Sequence, residues 1–112
     1  MAVQRINPAS LEQSPYYSQA TLVPPGASML YIGGQNAVTA AGAWIGLGDE
    51  AAQTAQAMKN VMACLEAVGA GVADLVSLEI KVVEGVDLAL CQRAASGYLD
   101  LNSLPLISVS IV

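Results

Sequence analysis

Apolar residues recur at three- and four-residue spacing between Glu50 and Val68, and most of the polar residues lie between them. The apolar positions are Ala51, Ala55, Met58, Val61, Met62, Leu65 and Val68. This spacing predicts an amphipathic helix. Asp49 is placed to cap the N-terminus of that helix, and the glycines that begin at Gly69 are placed to end it.

Strict alternation follows in "DLVSLEIKV", where Val76, Leu78, Ile80 and Val82 would face one way and the polar residues the other. This pattern predicts a strand. Asp87 offers a second N-cap, for a helix that runs to about Leu101. The apolar side of that helix is Leu88, Cys91, Ala95, Tyr98 and Leu99. The chain closes with the largely β-branched segment "LISVSIV", which predicts a last strand with Ile107, Val109 and Ile111 on its apolar side.

The N-terminal part combines a short strand candidate, "QRIN", with two apolar runs in "QATLVPPGASMLYIGG". Pro24, Pro25 and Gly26 supply turn chemistry between these runs, so the pattern predicts a hairpin. The resulting order is hairpin, helix, strand, helix, strand. We therefore expect one domain over residues 1–112, an α+β or split-βαβ sheet with both helices on one face.

Composition adds a second expectation, because hydrophobic residues make up 54% of the chain and charged residues 12%, against roughly 25% charged in a typical globular protein. So few charges predict that part of the apolar surface is covered by other subunits. No membrane span and no secretion signal are visible, which favours a cytoplasmic protein. The net charge of −5, without a cluster of basic residues, argues against nucleic acid as a partner.

Several chemistries are excluded or unsupported. The chain has no histidine, which removes histidine-dependent nucleophilic catalysis and histidine metal ligation. Cys64 and Cys91 do not form a zinc motif and are interpreted as buried structural thiols. No phosphate-binding glycine motif is present, and Asp49 and Asp87 are better explained as helix caps than as an acid/base pair. We expect neither a metal nor a cofactor.

The segment "LYIGGQ" ends in two glycines, Gly33 and Gly34, at the end of an expected strand. Glycine weakens a strand, so it usually marks a bulge, tight packing or a place where something approaches the backbone. The pattern leaves these interpretations open.

Five segments together resemble one family in order along nearly the whole chain. They are "RINP", "SPYYSQAT", "LYIGGQ", "GLGDEAAQTAQAMKNVMACLEAVGA" and "LVSLEIKVVEGVDLALCQ". They resemble the YjgF/RidA family of reactive-intermediate deaminases. The resemblance implies a chorismate-mutase-like α+β fold, a homotrimer and small-metabolite sites in clefts between subunits. Active members hydrolyse enamines and imines such as 2-aminoacrylate without a cofactor.

By the same resemblance, the substrate-binding residues correspond to Tyr17 of the "YSQA" box and to Gly33, Gly34 and Gln35. Gly33 stands where a serine is common. Gln92 stands where the family often has asparagine, which keeps the amide on a longer side chain.

Ile107 is the main departure from the family. Active members carry an arginine two positions after a proline, which binds the substrate carboxylate, and Pro105-Leu106-Ile107 places isoleucine there. The family usually continues with a strand that carries a glutamate, so the chain as given ends before that strand. Whether the native chain continues beyond Val112 stays open.

Three hypotheses follow from this departure. The first is a trimeric protein of this family that binds a small metabolite in a cleft lined by Ile107, without strong deaminase activity. The second is an active 2-iminobutanoate/2-iminopropanoate-type deaminase that uses another carboxylate anchor, with Arg93 nearest to Gln92 in sequence. The third is a scaffold that binds a partner protein.

Overall fold

The computed structural model describes residues 3–112. The strands are β1 (Gln4–Ile6), β2 (Ala20–Leu22), β3 (Ser77–Val82) and β4 (Leu106–Ile111), and the helices are α1 (Glu50–Ala67) and α2 (Leu88–Ser96). A short 3₁₀ helix spans Val72–Asp74. The mixed α/β class is confirmed. Across the described residues no helix is long and apolar enough to cross a membrane.

The chain divides into two compact units. The sheet unit consists of the described residues up to Met29 together with Val72–Gly85 and Leu99–Val112, and it holds all four strands. The helix unit consists of Leu30–Gly71 and Val86–Tyr98, and it holds α1 and α2. The expectation of a single domain over residues 1–112 stays a prediction.

Strands β3 and β4 pair in parallel, with a register from Ser77 opposite Leu106 to Val82 opposite Ile111. The predicted alternation of β3 is confirmed, because its even-numbered apolar residues are half-buried and its polar residues are exposed. Partners in this register lie on the same side of the sheet. One face is therefore wholly apolar, formed by Leu78, Ile80, Val82, Ile107, Val109 and Ile111. We call it the apolar sheet face.

The predicted hairpin is wrong. The turn forms as expected, since Gly26 has a φ of 77° and the Ala27 N–H donates to the Pro24 carbonyl. However, β2 pairs antiparallel with β1, with Arg5 opposite Thr21, and residues 29–35 form no strand. The segment "MLYIGG" is apolar enough for a strand, but it forms none, because β2 pairs with β1 instead. The described residues thus form two two-stranded sheets rather than one.

Helix α1 is capped at both ends as predicted. The Asp49 side chain accepts a hydrogen bond from the Ala52 N–H at 3.1 Å. At the other end, Gly69 has a φ of 71°, its N–H donates to the Glu66 carbonyl, and the Ala70 N–H donates to the Leu65 carbonyl. This pair of bonds is the Schellman arrangement, which requires a left-handed residue and so favours glycine.

Helix α2 begins as predicted, with the Asp87 carboxylate accepting from the Leu90 N–H at 3.1 Å. It ends at Ser96 instead of about Leu101, because Gly97 follows and glycine is a poor helix former. Within the helix unit, α1 packs against α2. Their buried residues are Met58, Leu65, Cys91 and Ala95. Cys91 is buried as predicted, whereas Cys64 is only half-buried, and both thiols are free.

Many large apolar side chains are exposed in the single chain. Tyr31 is 86% exposed, Leu47 82% and Trp44 61%, and Met29 and Leu30 are exposed beside Tyr31. On the apolar sheet face, Val109 is 51% exposed and Ile111 61%. The low charge content is therefore matched by apolar surface that the chain does not cover itself.

Candidate functional site

Arg5 forms several side-chain hydrogen bonds within the sheet unit. Its guanidinium donates to Thr21 Oγ1 at 2.9 Å, to Ser103 Oγ at 3.2 Å, to the Ala73 carbonyl at 3.2 Å and to the Ser103 carbonyl at 3.4 Å. The side chain lies in β1 and is half-buried. It therefore joins the β1–β2 sheet to the 3₁₀ helix and to the turn that precedes β4.

The charge of Arg5 is balanced locally. Burial lowers the pKa of Arg5, and the nearby carboxylates of Asp74 and Asp100 act in the opposite direction. Arginine stays protonated in proteins even so. Because its donors face protein acceptors and two acids lie nearby, the Arg5 guanidinium has little capacity left to bind a further anion.

A second link ties the segment of Tyr17 to the segment of Ile107. The Ser18 N–H donates to the Pro105 carbonyl at 3.0 Å, and Ser18 and Pro105 are both buried. The Asn7 side chain donates to Ser18 Oγ at 3.5 Å and accepts from the Gln19 N–H at 2.8 Å. Tyr17 precedes Ser18, and Ile107 comes two residues after Pro105. The structure thus brings together the backbone next to these two predicted site residues.

Ile107 itself is half-buried in β4, opposite Leu78 on the apolar sheet face. Tyr17 is half-buried as well. An isoleucine side chain at this point offers a ligand apolar contact and no hydrogen bond.

In the helix unit, Gly33 and Gly34 are exposed and Gln35 is half-buried. The Gln35 side chain donates back to the Gly33 carbonyl at 3.2 Å. Neither glycine has a positive φ, and a Cβ at either position would have no heavy atom within 4 Å beyond its chain neighbours. Tight packing within the chain and a bulge in a strand are therefore both wrong as explanations of these glycines.

Asn60 of α1 fixes the backbone that follows Gln35. Its side-chain amide donates to the carbonyls of Asn36 and Val38, both at 2.9 Å, and its oxygen accepts from Gln56 at 3.0 Å. Two turns before Asn60, Gln53 donates to the Gly46 carbonyl at 2.8 Å. This row of amides on α1 holds the loop on both sides of the Val38–Trp44 bridge.

Gln92 lies exposed on α2, directly after the buried Cys91. Arg93 is exposed in the last turn of the same helix, where a cation is favourable. The predicted residues therefore form two groups: Tyr17 and Ile107 in the sheet unit, and Gly33, Gly34, Gln35 and Gln92 in the helix unit. Among residues 3–112, no group of three or more His, Cys, Asp and Glu side chains is arranged to hold a metal.

Sequence reasoning missed the roles of Arg5 and Asn60. Arg5 contacts Ser103, 98 positions along the chain, so no local pattern signals the interaction. Asn60 was interpreted only as part of the polar side of a helix. Its spacing from Gln53 and Gln56 is the one signal that pointed to a shared amide face.

The family model of Endoribonuclease L-PSP, which describes the YjgF/RidA family, matches residues 8–111 of the chain. The chain belongs to this family. Among solved structures, it is similar to the crystal structure of YyfB from Yersinia pestis, a protein of unknown function of the conserved Rid family. The identity is 30% and the TM-score is 0.80, over 99% of this chain and 84% of that one. No curated protein matches the chain.

Proposed function

We propose that this Rid protein forms a homotrimer and binds a small, weakly polar metabolite in clefts between its subunits, without strong enamine/imine deaminase activity. The observation that carries this proposal is Ile107. It stands at the family's arginine position, half-buried opposite Leu78 on the apolar sheet face.

A ligand carboxylate is the group that such a site would bind least well. A carboxylate that leaves water needs a charged or hydrogen-bonding partner, and a planar guanidinium supplies two parallel bonds. Ile107 supplies none. Arg5, a cation of the same sheet unit, is already bound to Thr21, Ser103 and Ala73. An uncharged ligand of the same shape loses less on entering such a site.

Two further observations support a cleft formed with other copies of the chain. The exposed apolar residues, Tyr31 and Leu47 foremost, would gain most from burial by a neighbouring subunit. Gly33 and Gly34 leave their backbone open for another molecule to approach. Light scattering on the eluting protein should therefore give three times the 11.4 kDa protomer mass.

A matched pair of ligands tests the binding proposal. We would titrate the protein with 2-oxobutanoate and with its uncharged amide, 2-oxobutanamide, and follow binding by calorimetry. The native chain should bind the amide at least as tightly as the acid. An Ile107→Arg variant should change this preference by about ten- to hundredfold toward the acid, since a charge-assisted bond contributes about 1.5–3 kcal/mol.

The other hypotheses predict different results. If the protein is an active deaminase with another carboxylate anchor, the native chain would bind 2-oxobutanoate more tightly than 2-oxobutanamide. Arg93→Ala would remove that preference if Arg93 is the anchor. A protein-binding scaffold would bind neither compound, before or after the Ile107→Arg change. Either result would contradict the proposal.

A further inference from the structure

We propose that Arg5 is the positioning residue of this site: its guanidinium holds the turn before β4 against the β1–β2 sheet and so fixes Ile107 relative to Tyr17. The inference rests on the proposed function, because it gives Arg5 a role at the same ligand site.

Arg5 is attached to the β1–β2 sheet, whose second strand follows Tyr17 in the chain. It lies in β1 opposite Thr21, and its guanidinium donates to the Thr21 hydroxyl across the ladder at 2.9 Å. Thr21 follows Tyr17 by four residues in the chain. Arg5 is thereby linked both by its place in the ladder and by its side chain to β2, the strand that follows the Tyr17 segment.

The remaining hydrogen bonds of Arg5 reach the turn on the other side. Two go to the hydroxyl and the carbonyl of Ser103, and one goes to the Ala73 carbonyl in the 3₁₀ helix before β3. The turn itself is internally braced: the Asp100 side chain accepts from the Asn102 N–H, and its carbonyl accepts from the Ser103 N–H. Arg5 therefore holds a preformed element rather than a loose loop.

Little freedom remains between Ser103 and Ile107. Leu104 and Pro105 are buried, proline fixes its own φ, and the Pro105 carbonyl accepts from the Ser18 N–H. Leu106 already pairs with β3. A displacement of the turn at Ser103 would accordingly pass to the start of β4 and to Ile107.

Lysine could not replace this arrangement. Arginine spreads five donors over a rigid plane, whereas lysine concentrates three donors on one atom. A single ammonium group could donate either to Thr21 on one side or to Ser103 and Ala73 on the other, but not to both sides. Arg5→Lys keeps the positive charge and removes the bridge.

The experiment uses the ligand preference as its readout. In the native background, Ile107→Arg should change the ratio of 2-oxobutanoate to 2-oxobutanamide affinity by about ten- to hundredfold. In the Arg5→Lys background, the same substitution should change the ratio by less than about threefold, because an arginine at position 107 is no longer held where it can form two parallel bonds. Partial loss of folded protein would lower both affinities together, so the change of about ten- to hundredfold in the ratio on Ile107→Arg would remain.

Ser103→Ala provides a second test that leaves the guanidinium in place. It removes one Arg5 acceptor and should reduce the change in the ratio. Ser110→Ala, which changes an exposed serine of β4, should not. These two variants carry the test if Arg5→Lys does not fold. A full change in the ratio in both the Arg5→Lys and the Ser103→Ala backgrounds would overturn the positioning role while leaving the binding proposal intact. No change in the native background would overturn the site at Ile107 and the positioning role with it.

Discussion

Gly46 and Gly48 make a matched pair of substitutions in the loop that enters α1. Both adopt left-handed backbone, with φ of 71° and 77°. At Gly48 a Cβ would meet nothing within 4 Å, whereas at Gly46 it would lie 2.8 Å from the Ala52 Cβ and 3.0 Å from the Asp49 carbonyl oxygen. Gly46→Ala therefore combines backbone strain with a collision, and Gly48→Ala has the strain alone.

The two costs can be estimated separately. An L-residue in left-handed backbone costs about 1–2 kcal/mol, offset by about 0.4–1 kcal/mol because alanine restricts the unfolded chain. Overpacking adds about 1–3 kcal/mol. The overpacking cost at Gly46 should lie at the high end of this range. The Gly46 carbonyl already accepts from the Asp49 N–H and from Gln53, both at 2.8 Å, so the loop cannot move away without losing those bonds.

We expect Gly48→Ala to lower the free energy of unfolding by about 1 kcal/mol and Gly46→Ala by about 2–4 kcal/mol. Urea denaturation followed by circular dichroism measures both, at one fixed protomer concentration because assembly would shift the apparent stability. Equal losses in the two variants would refute the close contact between this loop and the first turn of α1.

Three further predictions concern α1 and the glycine pair. Asn60→Asp should destabilise the fold by about 1–3 kcal/mol in the same denaturation assay, since the carboxylate cannot donate to the Asn36 and Val38 carbonyls. An unchanged free energy of unfolding would show that these two hydrogen bonds do not stabilise the fold. Leu65→Ala should cost about 2–5 kcal/mol, because Leu65 is only 5% exposed, and a loss below 1 kcal/mol would contradict its place in the core. Gly34→Ala should leave the stability of the protomer fold within about 1 kcal/mol, because the surroundings of Gly34 are open and its φ is ordinary; a loss above about 2 kcal/mol would contradict those open surroundings.

The parts of the fold that the sequence predicts are those set by local chemistry. The caps at Asp49 and Asp87 each need only an N–H three residues ahead, and the alternation of β3 reports a sheet with one apolar face. The apolar spacing predicts too late an end for α2, because it continues through Tyr98 and Leu99 although Gly97 interrupts the helix. Spacing alone does not weigh a single unfavourable residue against the pattern around it.

The parts that could not be predicted depend on distant partners. The expected hairpin failed because β2 pairs with β1 and not with the "LYIGG" segment, and both have suitable apolar residues. Arg5 and Asn60 act through backbone carbonyls, which every residue carries and no sequence pattern marks. For the candidate site, the residue pattern alone marks only Gly33 and Gly34 as unusual. The other predicted site residues follow from the family resemblance.

To test directly whether the protein lacks strong deaminase activity, we would supply 2-aminoacrylate continuously from a serine dehydratase and measure the release of pyruvate with and without this protein. We expect no acceleration by the native chain at a concentration where light scattering shows the assembled protein, because an isoleucine side chain offers a substrate carboxylate no charge and no hydrogen bond. A clear acceleration would contradict it, and Arg93→Ala in the same assay would then show whether that arginine is the anchor.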